Sequence, residues 1–336
     1  MTLAESVLAG NRLALSQLLT HVENNTPEGR EAINRLFPET GQAHLIGITG
    51  APGVGKSALV NQLALYYRHP LEGQAARRVA IVAIDPSSPF TGGAILGDRI
   101  RMKDLAGDPG IFIRSMASRG SLGGLASTTA EVVQVFDAAG YETILIETVG
   151  AGQGEVDIAR LAHTTLVVEA PGMGDEIQAI KAGILEIADV LVVNKADRPG
   201  VENTERALKN MLELSHPVSH LLWHHDKSQP SPPSSREVQA PIWVPPIQRT
   251  VATEGVGVAD LGEMIAQHRQ YLQQSGNWQH RDRARLQSEL EALLRETLVS
   301  RWRRTVSEPQ YQAVLDLLFK RQISPFQAVE RLVDIR

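Results

Sequence analysis

The segment GITGAPGVGKS, Gly47 to Ser57, carries the strongest chemical signal in the chain. Gly50, Ala51, Pro52, Gly53, Val54, Gly55, Lys56 and Ser57 have the spacing of a phosphate-binding loop, and Ala58 carries the chain on into ALVNQLALYY, a helical stretch. Glycines let backbone N–H groups turn onto phosphate oxygens where side chains would block them. The helix that follows presents its positive end to the same anion. Lys56 has the reach to meet the β- and γ-phosphates of a nucleotide, and the Ser57 hydroxyl suits Mg²⁺.

A second motif, NKAD, closes the apolar run VLVVN. The Asp197 carboxylate can accept two hydrogen bonds from N1–H and the exocyclic amine of guanine. Adenine lacks that pair of donors and would leave a buried acceptor unpaired. Lys195 can lay its stem over the base, and Asn194 can brace the loop. Downstream, the backbone around Val251 and Ala252 in RTVATEGVG has groups that can meet guanine O6. The pair of motifs therefore points to GTP and GDP rather than ATP.

Carboxylates complete the set. Asp85 and Glu147 each end an apolar run, and Asp98 lies in the Gly/Ser-rich stretch between Ile81 and Met102. With Ser57 they form a candidate Mg²⁺ shell, in which the cation and Lys56 offset their mutual repulsion. A helix N-cap is the other reading of Asp98. In LIETVGAGQGE, Gly150 falls where a backbone group would sense the γ-phosphate. Gln153 comes later than the spacing usual for a water-orienting glutamine.

These residues need a scaffold that brings strand ends together. Continuous apolar runs at 44–49, 79–84, 111–114, 143–147, 164–169, 190–194 and 242–245 read as strands buried on both faces, with helical segments between most of them. That alternation predicts an α/β fold, a mostly parallel sheet flanked by helices. Residues 1–42 read as an N-terminal helical extension, with Pro27 opening its second helical stretch. Residues 43–258 read as the P-loop domain and 259–336 as a C-terminal helical region. The Pro/Ser-rich stretch 226–241 reads as a surface loop. Leu286, Leu290, Leu293, Leu294 and Leu298 form an apolar stripe that suits either packing onto the sheet domain or a dimerisation arm. Ser324-Pro325 has the form of an N-cap and first helical position.

Bulk properties narrow the class. The chain has 336 residues, 43% of them hydrophobic, enough for a sizeable core. With no cysteine, disulfides, zinc-thiolate sites and thiol catalysis are excluded. A net charge of −5 argues against a nucleic-acid partner. No apolar run approaches the roughly 20 residues that span a bilayer. The first residues predict neither secretory signal nor transit peptide, so the expected location is the cytoplasm.

Taken together, Gly50–Ser57, DPSSPFTGGAILGDRIRM, ETVGAGQGE, PGMGDEIQAIKAGI and NKAD resemble the GTPase chaperones of adenosylcobalamin-dependent acyl-CoA mutases. This is the MeaB-type group, which includes the human methylmalonic aciduria type A protein. The resemblance runs over almost the whole chain and places it in the class of P-loop GTPases that also holds nickel-insertion proteins. It implies phosphate and Mg²⁺ roles for Lys56 and Ser57, and a metal site of Asp85, Asp98 and Glu147, some acting through water. It implies a γ-phosphate-responsive segment at Gln153, and guanine reading by Asn194, Lys195 and Asp197. Asp175 and Lys181, in GDEIQAIK, resemble the switch that couples nucleotide state to the mutase. The implied partners are a second copy of the chain and an adenosylcobalamin-dependent acyl-CoA mutase, methylmalonyl-CoA mutase foremost. The homodimer favours the arm reading of the leucine stripe. Two positions depart from the family pattern: Gly154 where serine is common, and Ala58 where threonine is usual.

No residue is an evident built-in arginine finger. Arg99 and Arg101 flank the Asp98 stretch and read equally well as surface charges. The expectation is slow intrinsic hydrolysis stimulated by a partner, with Lys181 supplying the added charge. Two other readings share the phosphate loop. A nickel-insertion metallochaperone needs metal-binding Cys/His sets, and here the ten histidines include one adjacent pair, His224-His225. A small-molecule kinase needs an acceptor pocket, and guanine selectivity would be unusual in one.

Overall fold

A computed structural model describes residues 1–69, 75–86, 102–105, 107–118, 124–148, 154–172, 186–215 and 243–333. Seven parallel strands form one sheet: β1 (His44–Thr49), β2 (Val79–Pro86), β3 (Ile111–Ser118), β4 (Thr143–Thr148), β5 (Thr164–Glu169), β6 (Val190–Asn194) and β7 (Ile247–Thr250). Their order is β3-β2-β4-β1-β5-β6-β7. All residues of β1, β4, β5 and β6 are buried, as continuous apolar runs require when helices cover both faces. Because every pairing is parallel, all strand C-termini share one edge, where doubly wound sheets bind ligands.

The last strand is Ile247–Thr250 and not 242–245. Pro245 and Pro246 explain the shift, since proline has no N–H to give the ladder. Pairing with β6 begins only at Ile247. Trp243 instead donates its indole N–H to the carbonyl of Asp189, 2.8 Å away.

The helices are α1 (Leu3–Leu8), α2 (Arg12–Glu23), α3 (Pro27–Leu36), α4 (Lys56–Arg68), α5 (Gly124–Ala138), α6 (Gly154–Leu161), α7 (Val201–Ser215), α8 (Val258–Ser275), α9 (Asn277–Thr305), α10 (Glu308–Phe319) and α11 (Pro325–Val333). The first helical stretch breaks after Leu8. Thr2 and Glu5 form a capping box on α1, and the Asn11 side chain accepts from the N–H groups of Leu13 and Ala14 to start α2. α1–α3 pack with α5 and α6 into one apolar layer, through Leu15, Leu18, Leu19 and Phe136. α4 and α8 fill the opposite layer, with Leu59, Leu63, Leu261 and Ile265. Asp137 at the end of α5 accepts the backbone N–H groups of Gly41, Gln42 and Ala43, which fixes the entry into β1.

The chain divides into compact units at Met1–Arg285 and Leu286–Arg336. The N-terminal helices, α8 and the first turns of α9 belong to the first of these units. His268 on α8 is fully buried there. In the second unit, Val314, Ala328 and Leu332 are buried against Trp302, Val306, Tyr311, Leu318 and Ile323. Trp302 donates its N–H to the Leu332 carbonyl at 2.8 Å. Ser324 caps α11: its backbone N–H donates to Gln327, whose N–H donates back to the serine hydroxyl. Among the described residues no helix is long and apolar enough to cross a membrane.

A buried polar chain holds the sheet's other edge. Arg281 of α9 forms two 2.8 Å bonds to the Asp189 carboxylate and donates to the His163 carbonyl. Asp189 also accepts from Thr165 N–H at 2.8 Å, and His268 Nε2 lies 3.2 Å from it. His268 Nδ1 and His44 Nε2 both contact the Thr164 hydroxyl, at 2.9 and 2.8 Å. The His163 ring accepts from Leu45 N–H at Nδ1, so its Nε2 carries the hydrogen and donates to Asp282. Trp278 stacks on that ring at 3.8 Å. Burial, aided by the charges of neighbouring groups, holds His44 well below the usual histidine range. Burial also lowers His163, against the pull of Asp282. Burial pushes the Asp189 carboxyl up, but the bonds from Arg281 and His268 outweigh it and hold it low.

Candidate nucleotide site

β1 ends at Thr49, and the phosphate loop follows. Gly50 (φ +140°) and Gly55 (φ +97°) take backbone conformations that L side chains rarely adopt. Space is closed as well. A Cβ on Gly50 would lie 2.1 Å from the Val168 carbonyl oxygen of β5, and one on Gly55 would lie 2.4 Å from Asn194 Nδ2. Gly55 is also the N-cap of α4 and, being glycine, offers no side-chain cap. The start of α4 thus keeps its positive end open to an anion.

Lys56, 5% exposed, folds over the loop and donates to the carbonyls of Gly50 (2.7 Å) and Ala51 (2.9 Å). Ser57 donates its hydroxyl to Glu147 Oε1 at 2.7 Å, and both residues are buried. A hydroxyl and a carboxylate oxygen side by side are hard oxygen donors of the kind Mg²⁺ takes, so the residues present fit that cation. Thr148 reinforces the corner, its hydroxyl 3.3 Å from that of Thr49. Asp85 is the last residue but one of β2, its backbone in register with Ala117 of β3, towards the same sheet edge as Glu147. The Asp85 side chain lies outside the described residues, as do Asp98, Arg99, Arg101, Gly150, Gln153, Asp175, Lys181, His224, His225 and the stretch 226–241.

Asn194 joins this loop to the next. Its Nδ2 donates to the Val54 carbonyl at 2.8 Å, and its Oδ1 accepts from Thr250 Oγ1 (3.1 Å) and Ala252 N–H (3.0 Å). Lys195 has φ +57°, and its Nζ donates to the Gly53 carbonyl at 2.6 Å. Asp197 is exposed beyond them. Val251 N–H bonds the Val256 carbonyl, so the N–H groups of Val251 and Ala252 are both engaged within the protein.

The structure therefore brings Gly50–Ser57, Glu147, Asn194 and Lys195 together at one sheet edge. It also adds residues that the sequence had not singled out. Glu169, the last residue of β5, is a second buried carboxylate at a strand end. The signal was present, since TTLVVE ends in glutamate just as TILIE does at Glu147. Thr250 and the carbonyl of Val168 carried no local signal, because their partners lie far away in sequence.

Residues 15–307 match the family described as "Methylmalonyl Co-A mutase-associated GTPase MeaB". A protein of Pyrococcus abyssi named as a GTPase is 40% identical over 98% of this chain and 95% of its own. The "Methylmalonic aciduria type A homolog, mitochondrial" of Caenorhabditis elegans is 36% identical over 58% of this chain and 51% of its own. In fold, the chain is similar to the crystal structure of a LAO/AO transport system kinase. That similarity has a TM-score of 0.66 and 24% identity, over 99% of this chain and 95% of the other.

Proposed function

The chain belongs to the family of methylmalonyl-CoA mutase-associated GTPases of the MeaB type, and from that premise we propose a GTP-hydrolysing chaperone that gates adenosylcobalamin loading and protection in an acyl-CoA mutase. The observation that carries this reading is Asn194, which binds the phosphate loop at Val54 and the 250–252 loop at once. One residue thereby ties the candidate base and phosphate subsites into a single guanine-nucleotide site.

In this reading GTP and Mg²⁺ bind at Gly50–Ala58, with Ser57, Asp85, Asp98 and Glu147 around the cation. Asn194, Lys195 and Asp197 select guanine, with the Val251–Ala252 loop beside the base. Bound Mg²⁺ would neutralise charge on the β- and γ-phosphates. Lys56 cradles those phosphates, while Gly150 and Gln153 respond to the γ-phosphate. Intrinsic hydrolysis is slow, and the partner accelerates it by ordering Asp175 and Lys181 so that Lys181 adds positive charge. An added arginine does this in related systems by about 10³–10⁵-fold, which bounds the effect.

The partner is an adenosylcobalamin-dependent mutase, methylmalonyl-CoA mutase first and an isobutyryl-CoA-type mutase second, in the cytoplasm. The protein acts as a homodimer. Exposed apolar residues of the second unit support this, among them Leu290 (66%), Leu294 (53%), Phe319 (88%) and Phe326 (73%).

A pull-down from native lysate, with and without a non-hydrolysable GTP analogue, tests the proposal. Nucleotide-dependent recovery of a cobalamin mutase is expected, and its absence would remove the chaperone reading. Lys181→Ala should lose the mutase-stimulated rate. Full stimulation in that variant would transfer the added charge to another residue.

A further inference from the structure

Gly47 sits in the middle of β1, and α6 fills the space its side chain would take. A Cβ built there would lie 2.4 Å from Ile158 Cγ2 and 3.1 Å from Ala162 Cβ. Both of those residues are buried. The seat is reinforced two residues away. Leu45 N–H donates to His163 Nδ1 at 3.0 Å, and His163 N–H donates to the Leu45 carbonyl at 2.8 Å. The C-terminal end of α6 is thus fixed on β1 by a steric notch and by a reciprocal pair of hydrogen bonds.

Both ends of this contact lead to the nucleotide site. β1 reaches the phosphate loop at Gly50, three residues after Gly47. α6 begins at Gly154, one helical turn before Ile158. Only residues 149–153 separate Gly154 from Thr148 at the tip of β4. β4 is held by its pairing with β1 and β2, and α6 sets where the other end of that link begins.

We propose that Gly47 is a positioning residue for the response to the γ-phosphate. By carrying no side chain it sets the depth of α6, and so the point at which the segment with Gly150 and Gln153 must end. This deepens the GTPase reading above and rests on it.

The test is Gly47→Ala. Its Cβ needs about 1 Å more room to reach ordinary contact with Ile158, which α6 can give only by moving outward. A displacement of that size at a positioning element costs on the order of 100-fold in rate. Single-turnover GTP hydrolysis should fall on that scale, and affinity for a non-hydrolysable GTP analogue should fall with it. GDP affinity should stay within about twofold, because the contacts of Asn194 and Lys195 with the phosphate loop do not pass through α6.

Adding Ile158→Ala to Gly47→Ala makes room for the methyl and should restore hydrolysis to within about threefold of wild type. Ile158→Val keeps Cγ2 and should behave as wild type. Equal losses of GDP and GTP-analogue affinity in Gly47→Ala would overturn the proposal. So would unchanged hydrolysis, or a double variant no faster than the single one. If Gly47→Ala does not fold, Ile158→Ala alone empties the notch and should slow hydrolysis without weakening GDP; unchanged hydrolysis there overturns the proposal too. A wild-type chain that binds GDP but never hydrolyses GTP would instead remove the GTPase reading, and this inference with it.

Discussion

Asp189 offers a way to separate the two edges of the sheet. It is buried, and it receives two 2.8 Å bonds from Arg281, one from Thr165 N–H and a 3.2 Å contact from His268. Asp189→Ala strands a guanidinium, a backbone donor and an imidazole. Breaking a buried ion pair from one side costs about 3–5 kcal/mol. The Arg281 side chain is 35% exposed, so water recovers part of that and the lower figure of about 3 kcal/mol applies. A protein of this size loses about 2 °C of Tm per kcal/mol, so the midpoint should drop by about 6 °C. Because Asp189 precedes β6 and Asn194 ends it, GDP affinity measured by calorimetry should stay within about twofold. A midpoint within about 1 °C of wild type would show that the pair contributes nothing net. A loss of GDP binding as large as the loss of stability would show that the two edges are not independent.

Three further outcomes follow from the same contacts. His44 and His163 are held below their unfolded values, so on acidification the unfolded chain takes up protons first. Stability is therefore full above about pH 6.5 and falls below it by up to about 1.4 kcal/mol per histidine per pH unit, read from denaturant midpoints across pH 7.5 to 5; a flat profile would contradict the burial of these rings. Asn194→Ala unties the Val54 carbonyl from the Ala252 N–H, and if about 1.4–2.8 kcal/mol of that loss falls on the bound state, GDP and GTP should both bind about 10–100-fold more weakly; loss of only one would refute its bridging role. Leu290→Glu with Leu294→Glu places carboxylates in the proposed dimer interface and should raise its dissociation constant by at least about 100-fold, seen by light scattering as a monomer; an unchanged mass would move the interface elsewhere.

The parts of this molecule that were legible in sequence are those whose physics is local. The apolar runs of β1, β4, β5 and β6 announced strands because each strand is covered on both faces. The phosphate loop was legible because its glycines answer to backbone angles within a few residues. β7 was misplaced for an equally physical reason. As an edge strand it pairs only with β6 and reads as the polar IQRT, while the more apolar IWV beside it runs into two prolines. Contacts across long separations left no trace. Gly47 shows no turn signal, since its purpose is the approach of Ile158, 111 residues on. Asp189 and Arg281 pair across 92 residues of sequence, a separation that leaves no local signal. The engagement of Ala252 N–H by Asn194 likewise depends on β6 and β7 lying side by side.

The strand order also has a consequence for how the chain is made. β1 is synthesised first, but its sheet neighbours are β4 and β5, so His44 meets its partner Thr143 only 99 residues later. At about 5–20 residues per second, β1 leaves the ribosome about 5–20 s before either edge can be satisfied. During that interval a six-residue apolar strand and the glycine loop after it have no ladder to join. The helices α1–α3 emerge earlier still, and the α5 surface that they pack on arrives late as well. The nascent chain therefore holds its central strand in waiting, and the window for misassembly closes only when β4 and β5 emerge to flank it.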